Sequence, residues 1–378
     1  MKPIQMVDIV SQYQKNLSQL MPLLEEVFQT AAFINGPQVK AFAQELAQFL
    51  GDSVIVIPCA NGTDALQLAF MELALQVGDE VLVPDFTFIS TVEVLKLLGL
   101  KPVFVDIDLN TFCICPYAAE KLITPRTKAI VPVHLFGQCA PMEKILELAE
   151  TYNLYVIEDT AQAIGAEYIF KNGTTKKAGT IAQVGCTSFY PSKNLGCYGD
   201  GGAVFTKDAQ RAARLQMIAN HGQREKYYYE TIGINSRLDS LQAAILRVNL
   251  QHLPTYTQKR QLVAQFYNQA FEKVEQIVRP SIAPYSTHVF HQYTIRVPAH
   301  LRNQLVYYLS DKKIPSAIFY PVPIHQQKPY REPELGDALY PNTIRACQEV
   351  LSLPIHPEME DAQMEYIAEH IIAFFENY

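Results

Sequence analysis

The sequence predicts an α/β protein, with a large domain on a mainly parallel sheet followed by a smaller C-terminal α+β domain. Two observations carry this. Short β-rich apolar runs alternate with helical patterns, as when strands are joined by crossover helices. The chain also has 378 residues, 49% of them hydrophobic, which exceeds a typical single domain and allows a large core.

The strand candidates are Val54 to Ile57, Glu80 to Val83, Pro102 to Val105, Ala129 to Val133, Tyr155 to Ile157 and Gly202 to Phe205. After the first, Asn61-Gly62-Thr63-Asp64 opens a helical pattern of Ala65, Leu66, Leu68, Ala69 and Leu73. Leu241 to Leu250 is a helical stretch, and Pro254 with the polar Thr255 to Arg260 then marks the passage into the second unit. The expected domains are residues 1–250 and 251–378. The second holds a strand candidate at Val289 to Val297, a helix candidate at Leu301 to Leu309, and the proline-punctuated Phe319-Tyr-Pro-Val-Pro-Ile-His325. Ligands of such a sheet belong at its C-terminal strand ends.

A net charge of −7 argues against a dominant nucleic-acid surface. The N-terminus lacks a signal-peptide pattern, and no run approaches the roughly 20 apolar residues of a membrane span, so a soluble cytoplasmic protein is expected. The seven cysteines lack Cys-x-x-Cys spacing and are expected to be reduced and mostly buried. No metal site is expected.

Chemistry concentrates around one lysine. Lys193 lies between a hydroxyl-bearing strand end at Ser188 and a glycine-rich return, Gly199-Asp-Gly-Gly202. A lysine is a nucleophile only when desolvated or engaged with a carbonyl cofactor; alone, Lys193 would read as a solvated surface residue. Asp159 closes the apolar run from Leu154 and suits the protonated ring nitrogen of pyridoxal phosphate, although a helix cap or a metal ligand would look the same. The helix start at Gly62 and Thr63 offers free backbone N–H groups for a phosphate, or is a plain helix start.

Together with Pro84-Asp-Phe-Thr-Phe88, His134-Leu-Phe-Gly137, Glu158-Asp-Thr-Ala-Gln162 and Asn235-Ser-Arg-Leu-Asp-Ser-Leu-Gln-Ala-Ala244, these segments resemble the DegT/DnrJ/EryC1/StrS sugar aminotransferases, from about Asp8 to the C-terminus. The resemblance implies fold type I of the pyridoxal-phosphate (PLP) enzymes, with the cofactor bound covalently to Lys193. It implies that Asp159 pairs with the pyridine nitrogen, that Gln162 contacts the ring hydroxyl, and that Gly62, Thr63 and Ser188 contact the phosphate. Phe88 resembles the ring-stacking aromatic. Asn235 matches a residue that reaches the cofactor phosphate of the neighbouring subunit, which implies a homodimer with shared active sites. Arg237, Tyr320 and His325 are substrate-binding candidates; Arg237 could equally brace the interface. Many relatives carry a histidine before the tyrosine, where this chain has Phe319, which puts close substrate analogies in doubt. Glu158 receives no role, and His134 and His221, which read equally well as satisfied structural histidines, stay outside the catalytic set.

The activity implied is amino transfer, with L-glutamate as donor, to a UDP- or dTDP-linked 3-keto hexose or hexuronate in surface-polysaccharide or amino-sugar biosynthesis. A C4 keto-sugar aminotransferase is the alternative. A pyridoxamine-phosphate-dependent sugar dehydratase, in which histidine replaces the lysine, is opposed by Lys193. A non-catalytic sensor is opposed by the full set of site residues.

Overall fold

The computed structural model describes residues 2–51, 53–331 and 336–377. Strands β1 (Ile55–Cys59), β2 (Glu80–Pro84), β3 (Lys101–Val105), β4 (Thr127–Ile130) and β5 (Tyr155–Asp159) are followed by a small hairpin, β6 (Glu167–Ile169) and β7 (Thr175–Lys177). Strands β8 (Val184–Ser188) and β9 (Gly202–Thr206) complete a seven-stranded sheet in the order β1-β9-β8-β5-β4-β2-β3. The pairings from β3 to β8 are parallel, and β9 runs antiparallel to both β8 and β1. The C-terminal ends of β1, β2, β5 and β8 therefore open on one edge. Strands β2 and β9 are buried throughout, which is why they read as unbroken apolar runs rather than alternating ones.

The sequence placed a strand end at Ser188 without giving its span, and β8 ends there; Gly185 inside it weakens the strand pattern. The sheet requires that glycine. A Cβ there would lie 2.0 Å from the Gly179 carbonyl oxygen, a backbone atom that cannot swing aside.

Helices α1 (Ile9–Thr30), α2 (Pro37–Leu50), α3 (Gly62–Leu73), α4 (Ser90–Leu97), α5 (Pro116–Glu120), α6 (Met142–Tyr152) and α7 (Ala209–Ala219) precede a long α8 (Ser240–Ala270). Helix α3 lies against β8 and β9, while α1 and α2 pack on α8. The sequence suggested that α8 would stop near residue 250, yet the helix is 31 residues long and runs through Pro254. Leu253, Tyr256, Val263 and Tyr267 keep a buried face on both sides of the proline, whose missing N–H removes one helical hydrogen bond.

The hairpin of β10 (Gln223–Glu225) and β11 (Tyr228–Tyr229) lies before α8, and β12 (Tyr293–Arg296) pairs antiparallel with β13 (Val350–Leu353) after it. A C-terminal core gathers Tyr267, Phe271, Tyr293, Leu305, Leu353 and Ile371. The strand expected from Val289 starts only at Tyr293, because the preceding residues bond to the turn at Phe136 and Gly137. Val289 N–H donates to the Gly137 carbonyl at 2.8 Å and Gln292 N–H to the Phe136 carbonyl at 3.2 Å. Among the described residues, no helix is long and apolar enough to cross a membrane.

Replacing Gly185 by alanine forces β8 away from Gly179. A loss of about 2 kcal/mol or more is expected, read as a lower midpoint in thermal or denaturant unfolding.

Candidate active site

Residues at the sheet's C-terminal edge line a cavity of about 950 Å³, with walls that include Thr63, Phe88, Asp159, Ser188, Lys193 and Tyr320. A smaller cleft of about 540 Å³ lies at the opposite ends of β4 and β5, around Lys128 and Tyr155. Its lining, among the described residues, brings no carboxylate, histidine or cysteine beside Lys128, whereas the larger cavity sets Lys193 together with Asp159.

Helix α3 begins at this cavity. The Asn61 side chain caps it by accepting the Asp64 N–H at 2.8 Å. The first N–H groups of the helix have no intrahelical acceptor. The start of α3 sits against Ser188 because two side chains are missing. A Cβ on Gly62 would lie 2.6 Å from Ser188 Cβ, and one on Gly202 would lie 2.3 Å from the Asn61 carbonyl oxygen. Backbone donors and a serine hydroxyl thus lie side by side on the cavity wall, a cradle of the kind that holds a phosphate.

Asp159 ends β5 and is 6% exposed. One carboxylate oxygen accepts from Thr91 Oγ1 at 2.9 Å, the other from the Ala161 N–H at 3.1 Å. Its neighbour Glu158, for which the sequence suggested no role, is an anchor. It is fully buried, and its oxygens accept the N–H groups of Gly179, Ile181 and Ala182 at 2.9, 2.7 and 2.6 Å. His134 Nε2 donates to the same carboxylate at 2.9 Å, while His134 Nδ1 accepts the Ala140 N–H. Both residues are structural in this arrangement.

Gln162 spans two loops. Its Oε1 accepts the Phe136 N–H at 2.9 Å, and its Nε2 donates to the Tyr320 hydroxyl at 3.1 Å. Burial pushes that phenol well above its ordinary range. Phe88 is 55% exposed at the cavity wall, tilted against Tyr320 at 6.5 Å between centroids. Lys193 reaches the cavity from a turn in which its own N–H donates to the Tyr190 carbonyl. Burial lowers its ammonium from 10.5 to about 8, against a smaller upward pull from Asp159.

Other sequence candidates lie elsewhere in the chain. Asn235 is exposed, with its backbone bridged to Asn220, and Arg237 Nη1 donates to Asn220 Oδ1 at 3.1 Å. Neither lines this chain's cavity. His325 is 2% exposed; its N–H and Nδ1 meet Asp85 at 2.8 and 2.6 Å, and its Nε2 meets Asp337 at 3.1 Å. Burial alone would lower the imidazole, but the two carboxylates outweigh it and hold it above its usual value. His325 thus ties the loop after β2 to the Tyr320 loop from behind the cavity wall. Thr91 and His291 also belong to the site's surroundings and were not foreseen. Both come from apolar surroundings, Thr91 in a helix and His291 beside a strand, with no local signal to mark them.

Residues 15–372 match the model of the DegT/DnrJ/EryC1/StrS aminotransferase family. The chain belongs to this family. It is a pyridoxal-phosphate-dependent aminotransferase, and the residues present fit that cofactor: a lysine with a lowered ammonium, a fixed carboxylate and a phosphate cradle share one cavity. A "Pleiotropic regulatory protein" of Geobacillus stearothermophilus is 40% identical over 99% of both chains. The "UDP-2-acetamido-2-deoxy-3-oxo-D-glucuronate aminotransferase" of Pseudomonas aeruginosa is 41% identical over 96% of this chain and 98% of its own. The crystal structure of S. venezuelae DesV in complex with a ketimine intermediate has a TM-score of 0.94 at 36% identity, covering 100% of this chain and 99% of that one.

Three outcomes follow from the geometry. Glu158→Ala strands three buried N–H groups and His134, so it should cost on the order of 3 kcal/mol in unfolding experiments. In the apoprotein, modification of Lys193 followed by peptide mass spectrometry should titrate with a midpoint near 8 instead of 10.5. Because the folded value lies below the unfolded one, the unfolded chain binds more protons between them. Apoprotein stability should therefore rise with pH across that window.

Proposed function

We propose that the enzyme transfers an amino group from L-glutamate to the C3 carbonyl of a UDP- or dTDP-linked keto hexose or hexuronate, in surface-polysaccharide or amino-sugar biosynthesis. The observation that carries the chemistry is the convergence of Lys193, Asp159 and the α3 cradle on one cavity. The substrate class rests on likeness to the Pseudomonas aminotransferase over nearly the whole chain.

When bound, pyridoxal phosphate supplies a carbonyl for amine exchange and an electron sink. Lys193 would carry the group covalently and, once freed, take up and return a proton at Nζ; an amine lowered to about 8 suits that work near neutral pH. Asp159, fixed by Thr91 and Ala161, would hold the ring nitrogen. The first N–H groups of α3 and the Ser188 hydroxyl would hold the phosphate, and Gln162 and Phe88 would border the ring. Tyr320 closes the wall beside Gln162, leaving room for the sugar.

The same cavity supports a shared-site dimer. Among the described residues lining it, Lys193 is the only lysine or arginine, while Asp64, Asp159 and Asp200 are acidic. A cofactor phosphate, a diphosphate and the glutamate carboxylates need more positive charge than that. A second copy can supply it from the exposed hairpin, where Arg224 and Lys226 stand beside Tyr227, Tyr228 and Tyr229, all 62% exposed or more. Asn235 and Arg237 follow that hairpin.

Purified holoenzyme assayed with glutamate against a panel of UDP- and dTDP-linked keto sugars should turn over 3-keto substrates fastest. A preference for 4-keto sugars, or no turnover of any, would overturn the reading. Borohydride reduction of the same preparation should fix the cofactor on the peptide containing Lys193.

The dimer is tested by mixing and refolding two dead variants, Lys193→Ala and Asn235→Asp. If sites are shared, each mixed dimer holds one intact site, and activity should return to roughly a quarter of wild type for random pairing. Proven subunit exchange without recovery would rule the arrangement out.

A further inference from the structure

The segment 289–292 reaches the catalytic cavity from the C-terminal part of the chain and is held from several sides. The Gly137 turn lies so close that a Cβ there would come within 2.8 Å of the Phe290 nitrogen and 2.9 Å of the His291 nitrogen. The buried Arg260, from α8, donates through Nη1 to the carbonyls of Phe290 at 3.2 Å and Ile355 at 2.9 Å. His291 therefore has a fixed backbone. Its side chain is 5% exposed yet lines the same cavity as Lys193.

The hydrogen bonds around it define its tautomer. Asn194, next to Lys193 in sequence, donates through Nδ2 to the Val289 carbonyl at 2.9 Å. That fixes which end of the amide faces His291: Asn194 Oδ1 lies 3.2 Å from His291 Nδ1. An amide oxygen can only accept, so Nδ1 carries the proton and Nε2 keeps its lone pair. Burial, Lys193 and Arg260 all disfavour a second proton and hold the ring neutral. Asp159 is the carboxylate that acts on Lys193 itself.

We infer that His291 is a positioning residue for Lys193: its Nδ1–H grips Asn194 and so fixes the lysine loop against the immobile 289–292 segment. A neutral ring at that wall adds no second positive charge beside the lysine, whose carboxylate partner is Asp159. The inference rests on Lys193 being the reactive amine and is independent of which sugar is the substrate.

The test compares His291→Asn, His291→Gln and His291→Phe. An asparagine amide nitrogen sits where ring Nδ1 does, whereas a glutamine amide reproduces the Nε2 position. In apoprotein, the midpoint for chemical modification of Lys193 should move by about one pH unit or more from about 8 towards 10.5 in His291→Phe, as the loosened amine meets water. His291→Asn should keep it near 8. In holoenzyme, His291→Phe should lower kcat at least tenfold with little change in KM for the amino donor, and His291→Asn should recover most of it. Combining His291→Phe with Asn194→Ala should do no more harm than the worse single change. An unmoved midpoint in His291→Phe overturns the inference, as do additive effects of the two changes. Rescue by His291→Gln but not by His291→Asn also overturns it, because the ring would then act through Nε2. Should His291→Phe fail to fold, the Asn and Gln variants decide the matter between them.

Discussion

The buried carboxylate of Glu158 is the constraint around which the catalytic edge is organised. An ionised group removed from water is tolerated only when its lone pairs are satisfied, and this one is met by three backbone N–H groups and one imidazole. Those donors come from the loop that leads into β8 and from the segment that follows β4. One side chain thereby fixes the end of β5 to both of its neighbours. Asp159, the next residue, inherits that rigidity and needs only Thr91 and the Ala161 N–H to be aimed. Consecutive residues of a strand face opposite ways, so a structural carboxylate and a chemical one can stand side by side without sharing an environment.

Helix α8 organises the other half of the site. Asn249 Nδ2 donates to the Gly196 carbonyl at 2.8 Å, and Gln242 Oε1 accepts the Tyr198 N–H at 2.9 Å, so α8 grips the loop that carries Lys193. Asn249 is itself held by Asn16 of α1 at 3.2 Å. Farther along, Arg260 anchors the segment that carries His291. The amine is thus positioned by a helix that contributes nothing to the cavity wall.

Much of this was legible in the sequence, and the limits have physical causes. The runs that became β2 and β9 stood out because strands buried throughout are apolar along their length, and the α3 start stood out because Asn61 caps it. Lys193, Asp159, Gln162 and the cradle were readable as a set because they cluster around short glycine-rich or strand-end strings, and family resemblance supplied their implied roles. Strand β8 was legible only at its end, Ser188, because the residue that makes it possible, Gly185, is a strand breaker by propensity. The length of α8 escaped because Pro254 normally ends a helix, whereas burial on either side carries it through. Glu158 and His291 gave no indication of their work, and His134 read as structural without its partner being foreseen, since the partners are backbone groups or side chains distant in sequence. The family resemblance made His325 a substrate-binding candidate, whereas in the structure its side chain is engaged by Asp85 and Asp337 behind the wall.

The continuity of α8 sets what kinds of sequence change the protein can absorb. A helix advances about 1.5 Å and turns about 100° per residue, so adding or removing one residue between Asn249 and Arg260 would swing one anchor a quarter-turn or more away from the other. Substitutions on the exposed face of that stretch leave the phase untouched. Insertions would break the angular register between the lysine loop and the His291 segment, however well each part folded. Length variation in a lineage of such chains should instead collect in the β10–β11 hairpin and in surface loops, where no rod has to keep two distant groups in step.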